Sequence, residues 1–111
     1  MQAAWLLREG EVLAALEVAE SREERVRGLL GREGIDGAIL LRPARSVHSV
    51  GMAFPIDVAF CTKDLVVLRT ICMRPNRMTR PALRGGCVIE AECGSFERWK
   101  LCVGDRLEIR E

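Results

Sequence analysis

His48 and Asp57 are the residues whose types and spacing best suit proton transfer. His48 is the one histidine of the chain, and Ser49-Val50-Gly51-Met52-Ala53-Phe54-Pro55-Ile56 separates it from Asp57. Gly51 and Pro55 mark a bend in that stretch, which can fold a second strand back beside the first and bring imidazole and carboxylate together. An imidazole titrates near neutrality, and a neighbouring carboxylate makes such a pair a candidate for general acid and base work. Asp57 is the more telling of the two. In an extended strand Ile56, Val58 and Phe60 share one face, and Asp57 lies with Ala59 and Cys61 on the other. Neither face is polar, and a carboxylate among small apolar neighbours is costly to bury unless an arginine, a histidine or backbone amides answer it. The expectation is a positively charged neighbour at the rim of a hollow. The same residues also fit a bracing role, in which Asp57 pins a loop or helix to the sheet and His48 is a satisfied, half-buried side chain.

Charge points to a second kind of chemistry. The chain carries 17 basic and 16 acidic residues, but unevenly: Met1 to Asp36 holds 5 Arg against 8 acids, Gly37 to Ile89 holds 8 basic residues against Asp57 and Asp64, and Glu90 to Glu111 holds 4 basic against 6 acidic. Between Asp64 and Glu90 no carboxylate occurs while Arg69, Arg74, Arg77, Arg80 and Arg84 recur. Guanidinium forks suit carboxylates and phosphates, so this stretch is an anion-site candidate. A solvated loop in an arginine-rich chain is the simpler account, since Arg outnumbers Lys 15 to 2 throughout and charge runs are more often solvated faces than sites.

Other chemistries are poorly supported. Cys61, Cys72, Cys87, Cys93 and Cys102 are five, an odd number with no C-x-x-C pair, which indicates neither a disulfide framework nor a zinc knuckle. Cys61, Cys72, Cys87 and Cys102 sit beside Val, Ile, Phe or Leu, as free thiols packed in a reducing cytoplasm would. No H-x-x-x-H or G-x-S-x-G motif is present, and Gly85-Gly86 leads into a strand rather than a helix, so no metal and no cofactor is expected. Trp5, Phe54, Phe60, Phe96 and Trp99 do not interleave with the basic stretch as stacking platforms for nucleic acid would.

The elements that must position these residues fit one domain, residues 1–111. The length is too short for two self-supporting cores, and 49% apolar residues suffice for one. Uninterrupted apolar runs such as Val12 to Leu16 fall far short of the roughly 20 residues of a membrane-spanning helix. Met1 to Trp5 lacks a basic start followed by an apolar stretch, so a cytoplasmic chain without a cleaved leader is expected. Trp5-Leu6-Leu7 and Val12 to Val18 flank Glu9-Gly10 and read as a hairpin, although Glu11 to Glu17 has good helix composition. Ser21-Arg22-Glu23-Glu24 is a capping box opening a helix with Val26, Leu29 and Leu30 on one face and Gly31 as its stop. Further strands are expected at Ala38 to Leu41, Ser46 to Val50, Ile56 to Cys61, Leu65 to Ile71, Cys87 to Glu92 and Arg106 to Arg110. Turn residues at intervals of about ten give the texture of an antiparallel β domain. Arg74 to Gly86, with Pro75, Asn76, Pro81, Gly85 and Gly86, reads as a long surface loop of the sort that is often functional.

Ser21, Glu24-Arg25 and Gly28-Leu29-Leu30-Gly31-Arg32 form an ordered set similar to the T-x-x-E-R-x-x-G-L-M-x-R opening of the bacterial and archaeal Domain of Unknown Function 192 family. Met52 with Pro55-Ile56-Asp57-Val58-Ala59-Phe60 resembles its W-M-K-N-T-x-I-P-L-D-I-x-F signature, and Glu90, Gly94 and Gly104-Asp105 match its closing segment. The likeness covers about Ala19 to Ile109. Where many members carry Trp-Met-Lys-Asn-Thr, this chain has Val50-Gly51-Met52-Ala53-Phe54 preceded by His48. The resemblance implies a small jelly-roll-like antiparallel β-sandwich with one short α-helix packed on it. It implies no reaction. It also places Arg25, Arg32, His48, Met52, Asp57, Glu90 and Asp105 around a shared cleft or bracing network.

Taken together, the expected function is a non-enzymatic module that binds a small anionic or carbohydrate-like ligand. Its expected site is Arg32, His48 and Asp57, with Arg74 and Arg77 contributed by the long loop. The alternatives are a small hydrolase or isomerase using the His48 and Asp57 pair, and an accessory subunit that presents a sheet edge or helix face to a protein partner.

Overall fold

The Glu9-Gly10 turn organises the first hairpin. Both residues have positive φ, 52° and 78°, the two-residue turn whose twist matches a pair of antiparallel strands. It joins β1 (Gln2–Arg8) to β2 (Glu11–Ala19), and a bulge at Leu6/Leu7 lets both leucines be buried. The helix-like composition of Glu11 to Glu17 is therefore overridden by cross-strand pairing on both sides of β2. Next comes α1 (Arg22–Arg27), with the capping box formed: Glu24 N donates to Ser21 Oγ at 3.1 Å and Ser21 N donates to Glu24 Oε1 at 3.2 Å. The helix stops at Gly28 (φ 48°), three residues before the expected Gly31, so of the expected apolar face only Leu29 is buried.

The remaining elements are β3 (Ala38–Leu41), β4 (Ile56–Cys61), β5 (Val67–Met73), β6 (Cys87–Glu92), α2 (Ser95–Trp99) and β7 (Leu107–Arg110). The structure is a computed structural model describing residues Met1–Glu111. Its strands form one seven-stranded sheet in the order β5-β4-β6-β3-β2-β1-β7. Two expectations are corrected here. The protein is mainly β but has a single curled sheet in place of two stacked ones, and the sheet is mixed, because β2 and β3 run parallel. A parallel pair needs a crossover, and the segment containing α1 supplies it. The edges of the sheet approach each other: Val67 N donates to Asp105 O and Leu107 N to Leu65 O, each at 2.9 Å, making a half-barrel.

The core sits on both faces of this sheet. One cluster is enclosed by the curl and draws on both edge strands, with Leu6, Leu16, Leu40, Ala59, Ile89, Val67 and Leu107. The other lies on the outer face, where Leu29, Val47, Met52 and Phe54 from the covering segments pack on Ile39, Ile56, Val58, Phe60 and Val88. β3 and β4 are buried at every position, the pattern of strands covered on both sides. The expected strand at Ser46 to Val50 is not one. His48 makes a single bridge to Met78, and the segment otherwise lies as cover on the sheet. A second helix, α2, lies where the sequence signals none, and it is what answers Asp57.

Candidate functional site

Asp57 is 7% exposed, and no arginine or histidine pairs with it. Its Oδ2 accepts the backbone N–H groups of Gly94 and Phe96, each at 3.0 Å. Gly94 is the N-cap position of α2, has φ of 102° and offers no side chain, so a carboxylate on β4 caps a helix elsewhere in the chain. The expected cationic neighbour is thus replaced by backbone amides. Asp57 lines a depression of about 310 Å³ with Thr70, Cys72, Cys93, Gly94, Phe96 and Glu97 among its walls.

Arg74 and Arg77 line a different hollow, open and about 620 Å³ in volume, together with Arg69 from β5 and Arg80 from the loop. No acidic residue lines it, all four arginines are exposed and none is in an ion pair. The loop that carries three of them is anchored by Ser49, which is fully buried. Its Oγ donates to the carbonyl of Arg74 at 2.6 Å and accepts the N–H of Arg77 at 2.9 Å, while its own N–H donates to Arg77 O at 2.8 Å. Asn76, with φ of 64°, accepts the N–H of Gly51 through Oδ1 at 3.0 Å. The basic stretch is therefore a fixed rim. Nothing in the sequence marks Ser49 for this task.

His48 and Asp57 are not brought together. Asp57 lies on the sheet face that holds Ala59 and Cys61, whereas His48 lies on the opposite face beside Leu41, Val47 and Met52. The carboxylate that shares a cavity with His48 is Glu90 of β6. The cavity, about 40 Å³, is walled by Arg25, Gly28, Leu41, Val47, Met52 and these two side chains. His48 Nδ1 and Glu90 Oε1 are both buried with no hydrogen-bond partner. Burial pushes the Glu90 carboxyl up to about 7, so it exchanges its proton near neutrality. An acid inside the apolar run Val88-Ile89-Glu90-Ala91 is the same signal that singled out Asp57, and it marks Glu90 equally well. Gly28 closes this cavity: a Cβ there would stand 3.2 Å from Glu90 Oε1.

Arg32 stands apart from all three hollows. It makes a two-pronged pair with Glu17 of β2, at 2.6 and 2.8 Å, which raises its own proton affinity and lowers the Glu17 carboxyl below its usual range. The expectation of free thiols also needs correction. Cys72 and Cys93 are bonded, with Cα atoms 6.2 Å apart, leaving Cys61, Cys87 and Cys102 free. Cys72 on β5 and Cys93 after β6 are 21 residues apart, and only the pairing of β4 between those strands brings them together. As to metal, a carboxylate oxygen of Asp57 and the two bonded sulfurs lie within 4.8 Å of one another.

A curled, mixed β half-barrel with an arginine-lined hollow at its edge strand defines the class. The chain belongs to the Domain of Unknown Function 192 family (Uncharacterized ACR), whose model matches residues 5–109, further toward the start than the motifs alone reach. No curated protein matches it. Two solved structures are similar. A protein of unknown function from Novosphingobium aromaticivorans DSM 12444 has a TM-score of 0.77 and 17% identity over 96% of this chain and 83% of that one. A Sinorhizobium meliloti 1021 protein put forward as a transcription regulator has a TM-score of 0.78 and 20% identity over 96% of this chain and 92% of that one. At these identities the likeness is one of fold. No helix of the chain is long and apolar enough to cross a membrane.

Proposed function

We propose that the protein is a non-enzymatic binding module for a small anionic ligand, held in the hollow formed by Arg69, Arg74, Arg77 and Arg80. The observation that carries this reading is the convergence of four arginines, none paired with an acid, on one open hollow without an acidic wall. Uncompensated cations held close together repel one another, and a bound phosphate or carboxylate group relieves that repulsion while accepting their forks. The rim is pre-ordered by Ser49, so little ordering is left for the ligand to drive. No aromatic ring lines the hollow, which favours the anionic over the carbohydrate-like form of the ligand. The site is narrower than the one the sequence suggests: Arg74 and Arg77 remain, joined by Arg69 and Arg80, whereas Arg32, His48 and Asp57 have other surroundings. The enzymatic alternative loses its dyad, and the cavity that does hold His48 has room for a water-sized molecule only.

A titration of the full chain with inorganic phosphate, phosphorylated sugars and dicarboxylates, followed by calorimetry and thermal shift, tests this. Binding that weakens about tenfold in each of Arg74→Ala and Arg77→Ala, and falls with added salt, is the expected result. A panel without any heat or melting shift, or a ligand indifferent to both substitutions, would overturn it.

A further inference from the structure

We propose that Cys72 and Cys93 form a redox-active disulfide that exchanges with low-molecular-weight thiols bearing carboxylates. Both cysteines are exposed, unlike Cys61 and Cys87, which face each other across β4 and β6 inside the core. Cys61 and Cys87 are both fully buried, so neither sulfur is within reach of a thiol in solution. The Cys72–Cys93 bond instead lies where two hollows meet. Cys72 lines both the arginine hollow and the Asp57 depression, whereas Cys93 lines only the latter. Disulfide exchange requires a thiolate to reach one sulfur along the line of the bond, and access decides which sulfur it reaches. On the arginine side the approach to Cys72 is lined by four cations; on the other side Asp57 and Glu97 oppose an anion. An anionic thiolate therefore arrives at Cys72.

The chemistry balances without another reagent. The incoming thiolate bonds to Cys72 Sγ, the Cys72–Cys93 bond breaks, and the Cys93 sulfur leaves with the electron pair and takes a proton from water in the open depression. A second thiolate attacks the small molecule's sulfur in the mixed disulfide, which releases the symmetric small disulfide and Cys72 as a thiolate. Two small thiols are oxidised and the protein pair is reduced; the same small disulfide, running the steps backwards, closes it again. The selectivity for anionic thiols rests on the binding role of the arginine hollow, whereas exchange at the exposed bond does not.

The test uses the full chain, glutathione as the anionic thiol and 2-mercaptoethanol as the uncharged one, with alkylation and mass spectrometry as readout. Oxidised protein, unfolded and alkylated, is expected to label at Cys61, Cys87 and Cys102 only. Glutathione is expected to add labelling at Cys72 and Cys93 while the circular dichroism of the fold persists. Cys93→Ser, in which Cys72 is a free thiol, is expected to take up one glutathione on Cys72 from glutathione disulfide, releasing the other as the thiol, and to hold it there. Per thiolate, glutathione should react about tenfold faster than 2-mercaptoethanol at low salt, an advantage lost in high salt. Labelling of all five cysteines after oxidation, or a bond that glutathione leaves closed, overturns the proposal. So does tight zinc uptake by the reduced pair in native mass spectrometry, which would assign Asp57, Cys72 and Cys93 to a metal. Exchange at equal rates with both thiols overturns the anion selectivity of the disulfide, whereas failure of the arginine hollow as a binding site is read separately, by the phosphate titration.

Discussion

The carboxylate of Asp57 on β4 and the backbone N–H of Phe96 in α2 are joined at 3.0 Å, a helix cap made across 39 positions of sequence. The same oxygen holds Gly94, so one buried side chain fixes the start of α2 against the sheet. Removing it strands two amides as well as losing a charged acceptor. Asp57→Ala is expected to cost about 3 kcal/mol in urea unfolding, whereas Asp57→Asn, which keeps one carbonyl oxygen, costs about 1. Equal losses for both substitutions would mean that the capping geometry is not what stabilises.

Ser49 makes a second prediction about the rim of the arginine hollow. With its hydroxyl removed, the Arg77 N–H and the Arg74 carbonyl lose a buried partner, and the loop from Arg74 to Gly86 loosens without any arginine being changed. Trypsin reads this directly. Arg74 and Arg80 precede Pro75 and Pro81 and resist cleavage, so the reporting bonds are Arg77–Met78 and Arg84–Gly85. In Ser49→Ala both should be cut at least several-fold faster than in the parent protein, by mass spectrometry of the fragments, and anion affinity should fall in parallel. An unchanged cleavage rate at both bonds would show that the rim does not depend on this hydroxyl.

Local signals carried much of the fold. The capping box Ser21 to Glu24, the Glu9-Gly10 turn and the strands Ala38–Leu41, Ile56–Cys61 and Cys87–Glu92 all follow from residues near one another in the chain. What local signals could not supply is which strands become neighbours. β3 pairs parallel with β2 and antiparallel with β6, so one sheet curls instead of two sheets stacking. That pairing decides the site as well. It puts Asp57 and His48 on opposite faces although nine positions separate them, and it brings Cys72 to Cys93 and His48 to Glu90 from distant segments. A lone acid in the otherwise apolar strand Ile56 to Cys61 implies that Asp57 must be answered; only the fold says that backbone amides answer it.

Arg32 and Glu17 form a brace between the segment after α1 and β2, well away from the arginine hollow. Both side chains keep about a third of their surface in water, 30% and 38%, so the pair is screened and worth about 1 kcal/mol or less. Arg32→Ala should lower the unfolding free energy by that amount at pH 7 and leave the affinity for an anion unchanged. Because Arg32 depresses the Glu17 carboxyl, the stabilisation is present above the ordinary carboxylate range and is lost as acid protonates Glu17 in the folded state. The difference between parent and variant should therefore shrink on acidification. A loss of anion affinity equal to that in Arg77→Ala would return Arg32 to the binding site.

Glu90 has the opposite sign. Its folded-state carboxyl stands at about 7 against about 4.5 when solvated, because burial disfavours the charge, with His48 and Arg25 the only other ionisable groups on its cavity. Below pH 4.5 the group is neutral folded or unfolded and costs nothing. As pH rises toward 7 the unfolded chain ionises first, so the folded state loses stability, by about 3 kcal/mol in all, and the loss levels off above 7. Glu90→Gln keeps the shape without the charge. The variant should match the parent in urea unfolding near pH 4.5 and exceed it progressively up to pH 8. A constant difference across that range would show that Glu90 ionises in the folded protein as easily as in water, and that the buried wall it shares with His48 is open to solvent.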